Sequence, residues 1–118
     1  MTYLKLNDRP NAAADYEAAC RAATDLKQAL SDCNQAIQLA PNSSTAFDAR
    51  GLLHLKNDQL DEAIADYNRA IKANPKLAAA LYGRGLARRK KGQQAPGDQD
   101  IQTAVALDPN ISKKIDIK

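Results

Sequence analysis

At 118 residues, with 44% hydrophobic and 26% charged residues, the chain has the length and balance of one soluble globular domain. A net charge of +3 is too small to imply nucleic acid or an anionic membrane as partner, and no apolar run approaches the roughly 18 residues of a membrane span. Aromatics make up 4% and tryptophan is absent, so the core must come from Ala, Leu and Ile, which suits closely packed helices rather than a sheet.

The opening stretch, Met1 to Pro10, holds Tyr3, Leu4 and Leu6 but no continuous apolar run of the kind a signal peptide needs. A soluble cytoplasmic protein is the default expectation, although an exported protein trimmed at its N-terminus would read the same way. Residues 10–23 are expected to form a first helix, with Pro10 in its first turn and Ala12, Tyr16, Ala19, Cys20 and Ala23 on one face. Thr24 is placed to cap a second helix over about 25–39, with Leu26, Ala29, Leu30, Cys33, Ala36, Ile37 and Leu39 facing inward. Pro41 then removes a backbone donor, and Asn42 and Ser43 favour a turn.

A third helix over 44–56 carries Phe47, Gly51, Leu52, His54 and Leu55, and Asn57-Asp58 ends it. The fourth, over 60–73, presents Leu60, Ala63, Ile64, Tyr67, Ala70 and Ile71 and stops at Asn74-Pro75. The fifth, over 77–91, has Leu77, Leu81, Tyr82, Gly85 and Leu86, and runs into Arg88, Arg89, Lys90 and Lys91 before Gly92. Cations on the last-turn carbonyls followed by Gly form a helix stop, which is the simplest account of that basic run. The sixth, over 95–107, opens with Pro96 in its first turn and is expected to bury Ile101, Ala104, Val105 and Leu107. Asn110 can cap a short tail helix in which Ile111 and Ile115 cover the last pair. Short connections make neighbouring helices antiparallel.

The elements follow one period. Pro41, Pro75 and Pro109 are 34 residues apart, and in register with them run Ala36, Ala70 and Ala104, then Asp32, Asp66 and Asp100. Arg50-Gly51-Leu52 recurs as Arg84-Gly85-Leu86. A fixed period of this size marks a repeat array, in which each unit buries its apolar face only by stacking on a neighbour. The fold class is therefore all-α, a solenoid of helical hairpins.

Phe47-x2-Arg50-Gly51-x2-His54 with Ala63-x3-Tyr67 and Pro75 resembles the tetratricopeptide repeat, and so does Leu81-x2-Arg84-Gly85-x2-Arg88 with Gly97-x3-Ile101 and Pro109. Ala29-x3-Cys33, Ala36 and Pro41 give only the second half of an earlier unit, so the resemblance covers about 25 to 110. It implies a right-handed solenoid of about three antiparallel helix-turn-helix repeats with a short C-terminal capping segment. The whole chain, 1–118, forms one domain, divided into a degenerate repeat at 10–43, repeats at 44–77 and 78–111, and a tail at 112–118. The first unit departs from the pattern, because Glu17 stands where Gly51 and Gly85 are small. Instead, Ala14-Asp15-Tyr16-Glu17-Ala18-Ala19 mirrors Ala65-Asp66-Tyr67-Asn68-Arg69-Ala70, and the residues from Tyr3 to Asp8 echo those from His54 to Asp58. Either a second helix of another repeat now stands in a first helix's place, or the first repeat has simply degenerated.

Arg50 and Arg84 sit where the resembled pattern is usually apolar. Each is expected to pair with an aspartate across the repeat boundary, Arg50 with Asp32 and Arg84 with Asp66; pairing within a repeat, to Asp66 and Asp100, is the alternative. Cys20 and Cys33 are the only cysteines, and their 13-residue separation is not a metal-ligand spacing. Both fall on apolar helix faces, where small buried hydrophobes are the expected role and a disulfide the lesser one. His54 is the single histidine and has no nucleophile at a known spacing. Gly83-x-Gly85 lies within a helix and follows no strand, so it is not a phosphate loop. No catalytic residue, metal site or cofactor is expected.

The resemblance implies a groove lined by the first helices of successive hairpins, which takes a protein or peptide partner. Its floor would come from Thr45, Asp48, Leu52, Leu55 and Lys56, then Tyr82, Leu86, Arg89 and Lys90, with Ala14, Ala18 and Arg21 extending it. Leu52, Tyr82 and Leu86 would anchor the partner, and Arg89 and Lys90 would read acidic flanks. Members that bind heat-shock chaperones clamp a C-terminal carboxylate with Lys, Asn and Arg; the matching positions here are Ala14, Ala18, Ala49, Ala79 and Gly83, so a chaperone tail is not an expected ligand. Nucleic acid is not expected either, because no aromatics interleave the basic run. The other reading is a structural or self-associating piece of a longer array, with the chain otherwise a monomer.

Overall fold

The computed structural model describes residues 9–115, all of it helix and turn. In chain order the helices are α1 (Arg9–Ala22), α2 (Leu26–Leu39), α3 (Ser44–Lys56), α4 (Leu60–Ala73), α5 (Ala78–Lys90), α6 (Gln94–Leu107) and the single turn α7 (Ile111–Lys114). They pair as three hairpins, α1 with α2, α3 with α4 and α5 with α6, stacked so that α1 meets α3 and α3 meets α5. The expected all-α solenoid is the fold. The echo between Tyr3–Asp8 and His54–Asp58 lies outside the described residues, as do residues 116–118 of the tail, while α1 itself packs in the place of a first helix.

The proline comb has a local cause. In each inter-hairpin turn the proline follows a residue whose carbonyl accepts from the amide three positions on. Ser43 N–H donates to Ala40 O, Leu77 N–H to Asn74 O and Ile111 N–H to Asp108 O, at 3.0–3.1 Å. The fixed φ of proline suits the second position of such a turn. Within the last two hairpins the turn needs a left-handed residue, supplied by Asp58 (φ 60°) and Gly92 (φ 89°). There the amides of Gln59 and Gln93 close back onto the carbonyls of His54 and Arg88 at 2.8 Å, ending the preceding helix. Thr24 holds the same register in the first hairpin, where a β-branched side chain resists that conformation. The cap of α2 is accordingly Asp25 rather than Thr24: its Oδ1 accepts from Lys27 N–H at 3.3 Å.

Tyr67 organises the central core. It is buried with Leu55, Ala63, Ala70, Ala80 and Ala87, and Phe47, Leu60, Ile64, Ile71, Leu77 and Leu86 close over them. A methyl group on Gly83 would stand 2.3 Å from Tyr67 Cζ, so the absent side chain admits the tyrosine of the preceding hairpin. Gly85 and Gly97 face each other across the last hairpin; a methyl on either would lie 2.7 Å from the other's carbonyl oxygen. At the C-terminal end Ile111 joins Ala78, Leu81 and Ala104, with Ile115 against them, so the tail does cover the last pair. Val105 and Leu107, expected inside, are 40% and 43% exposed. The inward face of α6 is occupied by Gly97, Asp100 and Ala104, which turns Val105 outward.

Two further expectations are corrected. Cys20 of α1 and Cys33 of α2 are joined by a disulfide, with Cα atoms 5.1 Å apart, instead of serving as separate buried thiols. Antiparallel packing of α1 on α2 places the two positions face to face. The arginines pair within their hairpins, not across the boundary. Arg50 binds Asp66 through Nε and Nη2, both at 2.8 Å, and Arg84 binds Asp100 in the same way at 2.9 Å. The remaining nitrogen reaches back one hairpin, to Asn34 from Arg50 and to Asn68 from Arg84, each at 2.9 Å. Asp32 takes a hydrogen bond from Gln28. The neighbouring turn of α2 thus offers an amide, while the facing helix offers the carboxylate.

Candidate functional site

Two hollows lie along the first helices of the hairpins and share Arg21, Leu52 and Lys56. The first, of about 380 Å³, is walled by the end of α1, the start of α2 and the outer half of α3. Cys20, Ala29, Ala49 and Leu53 give it an apolar wall, so the disulfide shapes its back. The second, of about 490 Å³, runs from Asp48 and Leu52 across Leu77, Ala78 and Ala79 to Ile111, Lys114 and Ile115 of α7. The two hollows adjoin at Arg21, Leu52 and Lys56.

The α1–α3 junction carries the groove's polar chemistry. Glu17 Oε1 accepts from the Thr45 hydroxyl at 2.8 Å and from the Ser43 hydroxyl at 3.4 Å, placing a carboxylate at the N-terminus of α3, where the helix dipole favours it. Glu17 therefore serves the α1–α3 contact, which explains why this position is not glycine. Ser43 Oγ in turn caps α3 by accepting from Ala46 N–H. Arg21 donates to the Thr45 carbonyl at 3.0 Å and to Glu17 at 3.4 Å, and passes Asp48 at 3.9 Å.

Asp48 is 8% exposed and lines the second hollow. Burial pushes its carboxyl up to about 6, with Arg21 opposing the shift and Glu17 adding to it. Tyr67 reaches the same hollow from below, and burial, with Asp48 and Asp66 nearby, raises its phenol well above the ordinary range. Lys56 and Lys76 are exposed on the rim with no ion pair among the described residues. Lys114 is held by Asp108 at 2.8 Å, and its hydrogen bond keeps that carboxyl below its usual value.

Of the residues expected in the groove, Asp48, Leu52 and Lys56 line it, and Arg21 joins them. Leu55 does not: at 1% exposure it belongs to the Tyr67 core. Leu86 packs on that same core, and Tyr82 packs on the Leu81–Ile111 cluster. Arg89 lays its stem over Gly97 and pairs with Asp98 at 3.3 Å, while Lys90 approaches Asp58 at 3.8 Å. Acidic partners from the protein itself thus meet the basic run, with Lys91 bound to Asp61 as well. Groove residues absent from the expectation include Lys76, Leu77, Asp108 and Lys114 on turns or α7, and Tyr67, Ala78 and Leu107 on α4, α5 and α6. Ile111 standing 34 residues after Leu77 is the sequence signal that brings α7 into the array.

The stacked hairpins define a helical-repeat domain, a class that generally mediates protein–protein contacts. The profile of the TPR repeat family matches residues 57–92, the α3–α4 turn through the end of α5. Similar solved structures include the Arabidopsis OM64 TPR domain, with 22% identity, TM-score 0.81 and 86% of each chain covered. The second TPR of Spaghetti (RPAP3), bound to the HSP90 peptide SRMEEVD, has 20% identity and TM-score 0.80 over 87% of this chain and 100% of its own. Thermobaculum terrenum O-GlcNAc transferase matches at 25% identity and TM-score 0.77 over 93% of this chain and 21% of its own. Among curated protein sequences none matches significantly. Residues 57–92 are thus similar to the TPR repeat family, and the chain shares the fold of solved TPR domains. Among its described residues no helix is long and apolar enough to cross a membrane.

Proposed function

We propose that the chain is an interaction module that holds a segment of a partner polypeptide in the groove formed by α1, α3, α5 and α7. The observation that carries this reading is the meeting of two hollows at Leu52, an apolar side chain flanked by Arg21 and Lys56. An apolar anchor surrounded by polar groups is the usual energetic centre of a peptide contact. Of the expected anchors Leu52, Tyr82 and Leu86, Leu52 is the one that lines both hollows; Tyr82 and Leu86 pack on the cores, as do Leu77 and Ile111 at the border of the second hollow.

The printed ligand of the Spaghetti domain does not carry over to this reading. Ala14, Ala18, Ala49, Ala79 and Gly83 stand where a carboxylate clamp needs donors, and none has a side-chain N–H. Capture of a partner from the protein's own cell extract by wild type, but not by Leu52→Glu of unchanged helicity, is the expected outcome. Equal capture by both overturns the groove. Self-association is the competing reading, and sedimentation over a range of concentrations separates them.

A further inference from the structure

Three aspartates are buried, and two are fully engaged. Asp66 takes both bonds from Arg50 and a third from Arg69 at 3.0 Å; Asp100 takes both from Arg84 and a third from Arg88 at 2.9 Å. Asp48 takes none among the described residues. Its nearest cation, Arg21, stands beyond hydrogen-bond distance and is held by Glu17 and the Thr45 carbonyl. A largely buried carboxylate without protein donors is costly, and here its oxygens keep their remaining access through the groove instead of meeting a neighbouring helix. Tyr67, whose hydroxyl also lacks a partner among the described residues, borders the same space.

We propose that Asp48 is the groove's specificity residue and receives a basic side chain, arginine or lysine, from the partner segment. This rests on the groove reading above. A guanidinium or ammonium supplies the donors that Asp48 lacks, and the Tyr67 hydroxyl can accept another. The local charge agrees: at the α1–α3 junction Glu17 and Asp48 face a single Arg21, leaving one negative charge unbalanced. α5 brings only Ala78 and Ala79 to this part of the hollow. The cations farther along are Lys114, already bound to Asp108, and Lys56 and Lys76, exposed on the rim where water screens them. The rim lysines suit acidic residues on either side of the anchoring basic one.

The test is selection of a random peptide library on the full chain at neutral pH, followed by affinity measurements on wild type, Asp48→Asn and Leu52→Glu. Enriched peptides should share an arginine or lysine beside an apolar residue. Asp48→Asn should weaken them by about tenfold or more. Replacing the peptide's basic residue with glutamine should cause a similar loss that does not add to that of Asp48→Asn. Peptides lost with Leu52→Glu but unaffected by Asp48→Asn, or selected peptides that are uniformly acidic, overturn the role of Asp48 and leave the groove standing. Peptides indifferent to Leu52→Glu, or a selection that enriches nothing, overturn both. A melting temperature of Asp48→Asn no lower than wild type verifies that the fold is intact.

Discussion

The Arg50 guanidinium lies against the Asp66 carboxylate with two hydrogen bonds of 2.8 Å, inside one hairpin and 16 residues apart in sequence. Arg84 and Asp100 repeat the arrangement at the same separation, and each arginine keeps one nitrogen for the asparagine of the preceding hairpin. The pair fixes a hairpin and, through Asn34 or Asn68, its register on the neighbour. Arg50→Ala leaves Asp66 short of its main donors and should cost about 3 kcal/mol in urea unfolding. Arg50→Lys should recover little, because an ammonium cannot match the two-point contact. Asp32→Asn, in the partner first expected for Arg50, should stay within about 0.5 kcal/mol; a larger loss there would contradict the within-hairpin pairing.

The Cys20–Cys33 bond closes a short loop around the first hairpin, the one hairpin whose turn lacks a left-handed residue. Reduction should lower stability by about 3 kcal/mol, the entropy released when a loop of roughly that length opens. Hydrogen exchange should place the loss in α1 and α2, with α5 and α6 unchanged. Protection falling equally along the chain would mean that the hairpins unfold as one unit.

Gly83 offers a sign test of the packing. Helix propensity alone favours Gly83→Ala by about 1 kcal/mol. The methyl would enter the Tyr67 ring, at 2.3 Å from Cζ, so the substitution should instead destabilise by about 1–3 kcal/mol. Gly83→Ala in a Tyr67→Leu background should regain part of that loss. Stabilisation by Gly83→Ala in the wild type would show that Tyr67 does not fill the space between α3 and α5.

The fold was legible because its determinants are local and periodic. The turn prolines, the small residues at helix crossings and the 34-residue register of the aspartates each act within a few residues, and all point to stacked hairpins. The groove was less legible because register states which positions share a face but not how far each is covered. Leu55 and Leu86 hold groove positions by period, yet Tyr67 and its neighbours draw them into the core. Arg89 holds the same register as Leu55, but a glycine at 97 lets its stem lie flat and Asp98 takes its charge. Cys20 and Cys33 were misjudged for a related reason: spacing alone does not reveal which residues of antiparallel neighbours meet. The lack of donors at Asp48 depends on Arg21 being occupied by Glu17, a relation between three helical positions that no motif records.

Calorimetric titration of the chain with the acidic peptide SRMEEVD, the ligand in the Spaghetti domain structure, should give no measurable heat of binding. Small residues at the five clamp positions leave the terminal carboxylate without donors, and the Arg88–Lys91 cations are engaged by the chain's own Asp58, Asp61, Asp98 and Asp100. Saturable binding lost on Lys56→Ala would instead assign the rim lysines the role of an acid receptor.

Asp48 should also set a pH dependence of folding. Its carboxyl titrates near 6 in the folded chain against 3.8 when exposed, so the folded state holds the proton more tightly than the unfolded one. That contribution favours folding below pH 4, declines as pH rises through 6, and is absent at neutral pH. The groups facing it are Arg21 and Glu17 from α1 and Tyr67 from α4, and all three remain in the variant. Asp48→Asn removes the buried charge altogether. The variant should therefore exceed wild type by about 2 kcal/mol at neutral pH, with the difference vanishing at pH 4. Urea unfolding of both proteins at the two pH values measures the difference directly, so that contributions from the other carboxylates cancel. A variant less stable than wild type at neutral pH would mean that Asp48 is already satisfied within the folded chain, and its availability to a partner would be withdrawn.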